Sequence, residues 1–160
     1  MSLWDIPPEQ RITFGEVATL LIDREIQPNV IHTSRLYYAL PSLDAWLRPI
    51  FTVDWELTKK LLKIDAFIPA ANECADFARV CAGYANLLHA NTAGRPPESG
   101  LAFGEFWFMK QVSGMSGGHA VNVFVHRLNG KPTLGFFEPQ NSTVIDLTAG
   151  EISSAHFVRI

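Results

Sequence analysis

Apolar positions recur at helical spacing through the first half of the chain and at strand spacing through the second. Thr13 followed by Glu16 is a capping-box signature, and the periodic run behind it predicts a helix to about Arg24. Ser42 is placed to cap a short helix through Trp46 and Leu47, which Pro49 ends. Asp54 is placed to cap another, from Trp55 to about Lys63, with Leu57, Leu61 and Ile64 on one face. Beyond Pro69, Asn72 is the expected N-cap of a longer helix. In it Cys74, Phe77, Ala78, Cys81, Ala82, Ala85 and Leu88 repeat at helical spacing, and the loop from Asn91 to Gly100 closes it.

After Gly100 the pattern changes. Leu101 to Val112 is aromatic-rich and apolar on both faces, as a central strand is. A Gly/Ser loop from Ser113 to Gly118 is expected to lead into a strand from His119 to Leu128 and to give close backbone access beside His119. Asn129-Gly130 is a two-residue type I′ hairpin signal, and Thr133 to Glu138 returns. Shorter strands are expected at Ser142 to Leu147 and His156 to Ile160. Helices first and an antiparallel sheet after them is an α+β layout, here read as one domain over residues 1–160.

Composition narrows the function. The chain has 160 residues, 48% of them hydrophobic and 18% charged, which suits a globular protein with a real core. Net charge is −3 with no Lys/Arg run, so nucleic acid is a poor partner, because phosphate binding needs clustered positive charge. The apolar runs Val17 to Ile22 and Val121 to Val125 are far too short to cross a bilayer. No charged segment followed by an apolar stretch opens the chain, so no secretory signal is expected. Cys74 and Cys81 lie about two helical turns apart, too far for an easy disulfide, and two free thiols suit a reducing cytoplasm.

Three residues carry candidate chemistry. Cys74 falls in the first turn of its helix, where unpaired N–H groups and the positive end of the dipole favour a thiolate. Cys81, mid-helix on the apolar face, reads as an ordinary buried cysteine. With Asn129-Gly130 as the turn, His119 faces Gln140 and Val121 faces Glu138. His119 then shares a sheet face with both Glu138 and Gln140, so either side chain can orient the imidazole, and a carboxylate does so better. Pro132 threatens this register, because a bulge there would turn Glu138 to the other face. No CxxC, HExxH, zinc-like spacing or GxSxG elbow competes.

Three stretches of this constellation resemble the papain-like peptidase superfamily: Asn72-Glu73-Cys74-Ala75-Asp76-Phe77-Ala78, Gly118-His119-Ala120-Val121-Asn122 and Phe137-Glu138-Pro139-Gln140-Asn141. Within it they look most like the C-terminal protease domain of the fairy-ring mushroom agglutinin family. The resemblance implies a papain-like fold, peptide-bond hydrolysis, a Cys74-His119-Glu138 triad and activation by calcium. Ile68 stands where papain-like enzymes place an oxyanion-hole glutamine, which leaves Asn72 as the candidate donor beside the Cys74 N–H.

The expected function is therefore a cysteine peptidase acting on a peptide or protein substrate, with no nucleic acid or membrane partner. No cofactor is required by the sequence, and no metal ligands are identified in it. The alternatives are a thiol acyltransferase, and a non-catalytic module holding a peptide on an aromatic surface around Trp46, Trp55 and Trp107.

Overall fold

The structure is a computed structural model that describes residues 11–32, 35, 37–40, 43–47, 53–64, 68, 73–91, 99–112 and 115–160. Chain order is β1 (Arg11–Thr13), α1 (Phe14–Ile22), β2 (Ile31–His32), β3 (Tyr37–Ala39), α2 (Trp55–Leu62), α3 (Cys74–Ala90), β4 (Ser99–Leu101), β5 (Phe103–Val112), β6 (Met115–Leu128), β7 (Lys131–Glu138), β8 (Thr143–Ile145), α4 (Ala149–Ser153) and β9 (Phe157–Arg159). It is a mixed α+β arrangement. A small sheet runs β1-β3-β4 and a larger one β2-β9-β5-β6-β7-β8. The larger sheet is antiparallel from β9 through β8, as expected for the C-terminal strands; the parallel pairs, β2 with β9 and β3 with β4, each involve short strands that were not expected.

β5 sits centrally in the sheet, which is why both of its faces are apolar. Phe106 and Phe108 pack into a core with Val17 and Leu21 of α1 and with Val121 and Val123. Phe103 packs on the other side with Phe77, Cys81 and Ala85 of α3 and with Phe124 and Phe137. The buried Asn122 ties helix to sheet, its Nδ2 donating to Ala78 O and Gly104 O at 2.8 Å each.

The hairpin has the expected register. Asn129 and Gly130 both have positive φ (51° and 79°), as a type I′ turn requires, and Leu128 pairs with Lys131. Pro132 makes no bulge and pairs with Arg127. The reason is geometric. Leu128 and Lys131 flank a two-residue turn and form a hydrogen-bonded pair, so the next position points its backbone nitrogen outward. β8 pairs only with Phe136 to Glu138, so the missing N–H of Pro132 breaks no ladder.

Several expectations need correction. β6 begins at Met115, so Gly117 and Gly118 are strand residues paired with Lys110 and Met109 and not part of a loop. α1 keeps its Thr13/Glu16 capping box but ends at Ile22. On α2 the buried residues are Trp55 and Lys59, while Leu57 and Leu61 are exposed. Asp54 makes no side-chain cap, and α4, capped by Thr148 and Glu151, was not expected. A π-helical turn occupies Leu43–Leu47. Ser42, Pro49, Pro69, Ser113, residues 92–98 and the side chain of Trp46 lie outside the described residues. No helix among the described residues is long and apolar enough to cross a membrane.

Two glycines separate packing from openness. A Cβ on Gly104 would lie 1.7 Å from the Arg159 carbonyl oxygen, whereas one on Gly117 would meet nothing within 4 Å. Gly104→Ala must push β9 away and is expected to cost about 3 kcal/mol or more, beyond ordinary overpacking. Gly117→Ala should stay within about 0.5 kcal/mol of wild type. Thermal unfolding of the two variants checks this contrast.

Candidate active site

Cys74 is the first residue of α3, and the residue before it, Glu73, is extended and caps the helix. The Asp76 carboxylate accepts from the Glu73 N–H at 3.1 Å, closing the first turn. The cap is therefore Glu73 in place of the expected Asn72, which lies outside the described residues. The thiol is half-buried, and the Cys74 N–H, at a helix start, has no intrahelical partner.

His119 lies four residues into β6, opposite Phe108, whose ring it meets edge-on at 5.7 Å. By strand alternation it shares a face with Val121 and Val123, and Glu138 shares that face with Phe136. The structure brings His119 Nε2 to 2.6 Å from Glu138 Oε2. That leaves Nδ1 as the ring nitrogen not committed to Glu138, and the Cys74 and His119 side chains are near enough that each shifts the other's pKa. Gln140, the alternative orienting residue, enters through its backbone, its N–H donating to Glu138 Oε1 at 3.3 Å. The β6–β7 ladder ends at Asn122 and Phe137, so Gln140 does not pair across from His119 as the extended register implied.

Electrostatics polarise the pair. The hydrogen bond from His119 is the largest influence on Cys74 and lowers its pKa; burial opposes it, and the backbone N–H groups of Ala120 and Ala75 add to the lowering. For His119 burial is the largest influence and favours the neutral ring. The bonds to Cys74 and Glu138 and the Glu138 charge outweigh it and carry the pKa up to about 9, with Lys110 opposing them. A lowered thiol beside a raised imidazole moves both groups toward the thiolate–imidazolium form. Cys81 is the opposite case, pushed well up by burial against a small pull from Lys59.

Sequence reasoning missed the residues of α2 that hold the turn after Glu138. Trp55 Nε1 donates to Pro139 O at 2.8 Å and Lys59 Nζ to Gln140 O at 2.7 Å. Trp55 is fully buried, so it does not form part of an aromatic docking surface with Trp107. The spacing of Trp55 and Lys59, one turn apart, was available, but a lysine does not read as a core position. Ile68, at the glutamine position, is half exposed and brings no donor.

Among the described residues no group of three or more His, Cys, Asp or Glu side chains is arranged to hold a metal ion. A cleft of about 570 Å³ lined by Arg79, Asn86, Glu105 and Arg159 includes none of Cys74, His119 and Glu138. No protein-family model matches the chain, and no curated protein matches it with significant similarity.

Cys74 is expected to react with iodoacetamide at pH 6 about tenfold faster in the wild type than in His119→Ala. An ordinary thiol is less than about 1% thiolate at that pH, and the lower nucleophilicity of a low-pKa thiolate offsets only part of the gain. The reactivity should fall as acid protonates the thiolate, below the range of a free cysteine. Cys81 should stay unlabelled in the folded protein. Peptide mapping of the adducts against pH checks all three statements.

Proposed function

We propose that this protein is a papain-like cysteine hydrolase that cleaves peptide bonds, with Cys74 as nucleophile, His119 as base and Glu138 holding the imidazole. One observation carries the reading: His119 meets a buried carboxylate at 2.6 Å, beside a thiol at a helix start whose pKa the same ring lowers. The α+β layout, with that helix packed on a central sheet, supports the papain-like fold.

In the proposed reaction the Cys74 thiolate forms a bond to the carbonyl carbon, and the carbonyl electron pair moves onto oxygen. The Cys74 N–H at the start of α3 is positioned by type to stabilise that charge, and Asn72 is the proposed second donor. Collapse of the intermediate breaks the C–N bond, and His119 hands its proton to the departing amine. Water then attacks the thioester while His119 accepts its proton, and the acid leaves as the thiol is released. An amine in place of water would make the same enzyme a transferase. The two free cysteines support a reducing compartment such as the cytoplasm.

The test is a peptide bearing a thiol-directed electrophile, with the adduct mapped by mass spectrometry. An adduct on Cys74 that needs both the peptide portion and His119 supports the enzyme. Labelling by iodoacetamide but by no peptide electrophile would leave a binding module. Once a substrate is in hand, Glu138→Gln should lower turnover about tenfold or more with the fold intact by circular dichroism. An amide still orients the ring but does not stabilise the imidazolium. Gln140→Ala should cost less, because its contribution comes from the backbone.

A further inference from the structure

Resting on the reading that Cys74, His119 and Glu138 act together, we propose that Trp55 is a positioning residue for the triad. It acts through the Pro139–Gln140 peptide group, and Lys59 secures the next carbonyl.

The two oxygens of Glu138 have different partners. Oε2 meets His119, and Oε1 accepts the Gln140 N–H. The terminal torsion of a glutamate is broad, so Oε2 stays aimed at the ring only if Oε1 is held. The group that holds it is planar and rigid: the Gln140 nitrogen and the Pro139 carbonyl belong to one peptide unit. Trp55 Nε1 donates to that carbonyl at 2.8 Å. One amide therefore receives a hydrogen bond at its oxygen and gives one at its nitrogen, and the first polarises the second.

The bond to Trp55 also has a consequence on β6. Extending the hairpin register beyond Asn122 and Phe137 would put Pro139 opposite Ala120, as a hydrogen-bonded pair. The Pro139 carbonyl would then take the Ala120 N–H. The ladder ends before that pair while the Pro139 carbonyl accepts from Trp55, and the Ala120 N–H acts to lower the Cys74 pKa. Trp55 thus bears on both ends of the triad without touching either.

The rest of α2 fixes the turn in place. Lys59, 3% exposed, donates to Gln140 O at 2.7 Å and pairs with Glu56 Oε1 at 2.7 Å. Ser142 Oγ donates to the same Glu56 oxygen, and its own backbone is left-handed, with φ 57°, a conformation that the surrounding bonds must hold. Burial pushes the Glu56 pKa up, but the bonds from Lys59 and Ser142 outweigh it and keep it below its ordinary value.

Trp55→Phe keeps the buried aromatic body and removes only the N–H. Its effect is read as the pH midpoint of Cys74 alkylation, with the melting temperature measured alongside. The midpoint should move up by about half a unit, equivalent to about a threefold slower reaction at pH 6. Lys59→Met, which keeps the apolar stem, should shift it in the same direction by less. A lower melting temperature with a wild-type midpoint in Trp55→Phe would overturn the proposal and leave Trp55 a packing residue. If Trp55→Phe does not fold, Lys59→Met decides: a raised midpoint supports the proposal and an unchanged one overturns it. The underlying reading fails separately. In that case wild-type Cys74 titrates like a free thiol and His119→Ala changes nothing. If wild type and His119→Ala differ while both α2 variants match wild type, only the role of Trp55 falls.

Discussion

Glu138 is a carboxylate that the fold has taken almost out of water, at 5% exposure, and a charge in that position needs partners. Left alone it would cost several kcal/mol, so its surroundings have to supply charge and hydrogen bonds to both oxygens. His119 supplies the first and the Gln140 N–H the second. Much of the local architecture follows from meeting that demand. The His119 ring is fixed because one nitrogen is committed to Glu138. The ring so fixed shifts the pKa of Cys74, and the turn behind Glu138 is anchored to α2 by Trp55 and Lys59.

The same pairing balances protons across the neutral range. A histidine raised to about 9 contributes stability that is fully present below its unfolded value near 6.5 and is lost as pH climbs through 9. A cysteine with a lowered pKa has the opposite sign: its contribution is present above the unfolded thiol value and is lost as pH falls through the folded one. The two contributions therefore run in opposite directions with pH, and burial opposes the charge on each group taken alone.

Which residues would meet was readable in the sequence, and what holds them there was not. Asn129-Gly130 set the register through the type I′ turn, and the outward nitrogen of Pro132 left it undisturbed. The position of Cys74 in the first turn of a helix followed from an expected cap together with apolar periodicity, although Glu73 caps it in place of Asn72. On α2 the same method failed, because it counts Lys59 as a solvent residue. Lys59 is buried through a bond to a carbonyl some eighty residues away in sequence, which periodicity cannot register. Glycine misled in the other direction. Gly117 and Gly118 suggested a loop, yet pairing with β5 draws them into β6, where their missing side chains border open space. The two- and three-residue strands β2, β3 and β4 depend on distant partners and leave too short a pattern to read.

Pro139 links these features. In the extended hairpin register it falls opposite Ala120, where a continuing ladder would need an N–H that proline lacks. Proline offers no N–H to carry the ladder on, and the β6–β7 pairing ends before it, with Glu138 at the end of its strand and its carboxylate beside His119. Among the described residues, a Cβ added at Gly117 or Gly118 would meet nothing within 4 Å. Replacing Pro139 by a residue with an N–H would remove one local barrier to extending β7. Trp55, by keeping hold of the carbonyl at that position, is what would then have to prevent it.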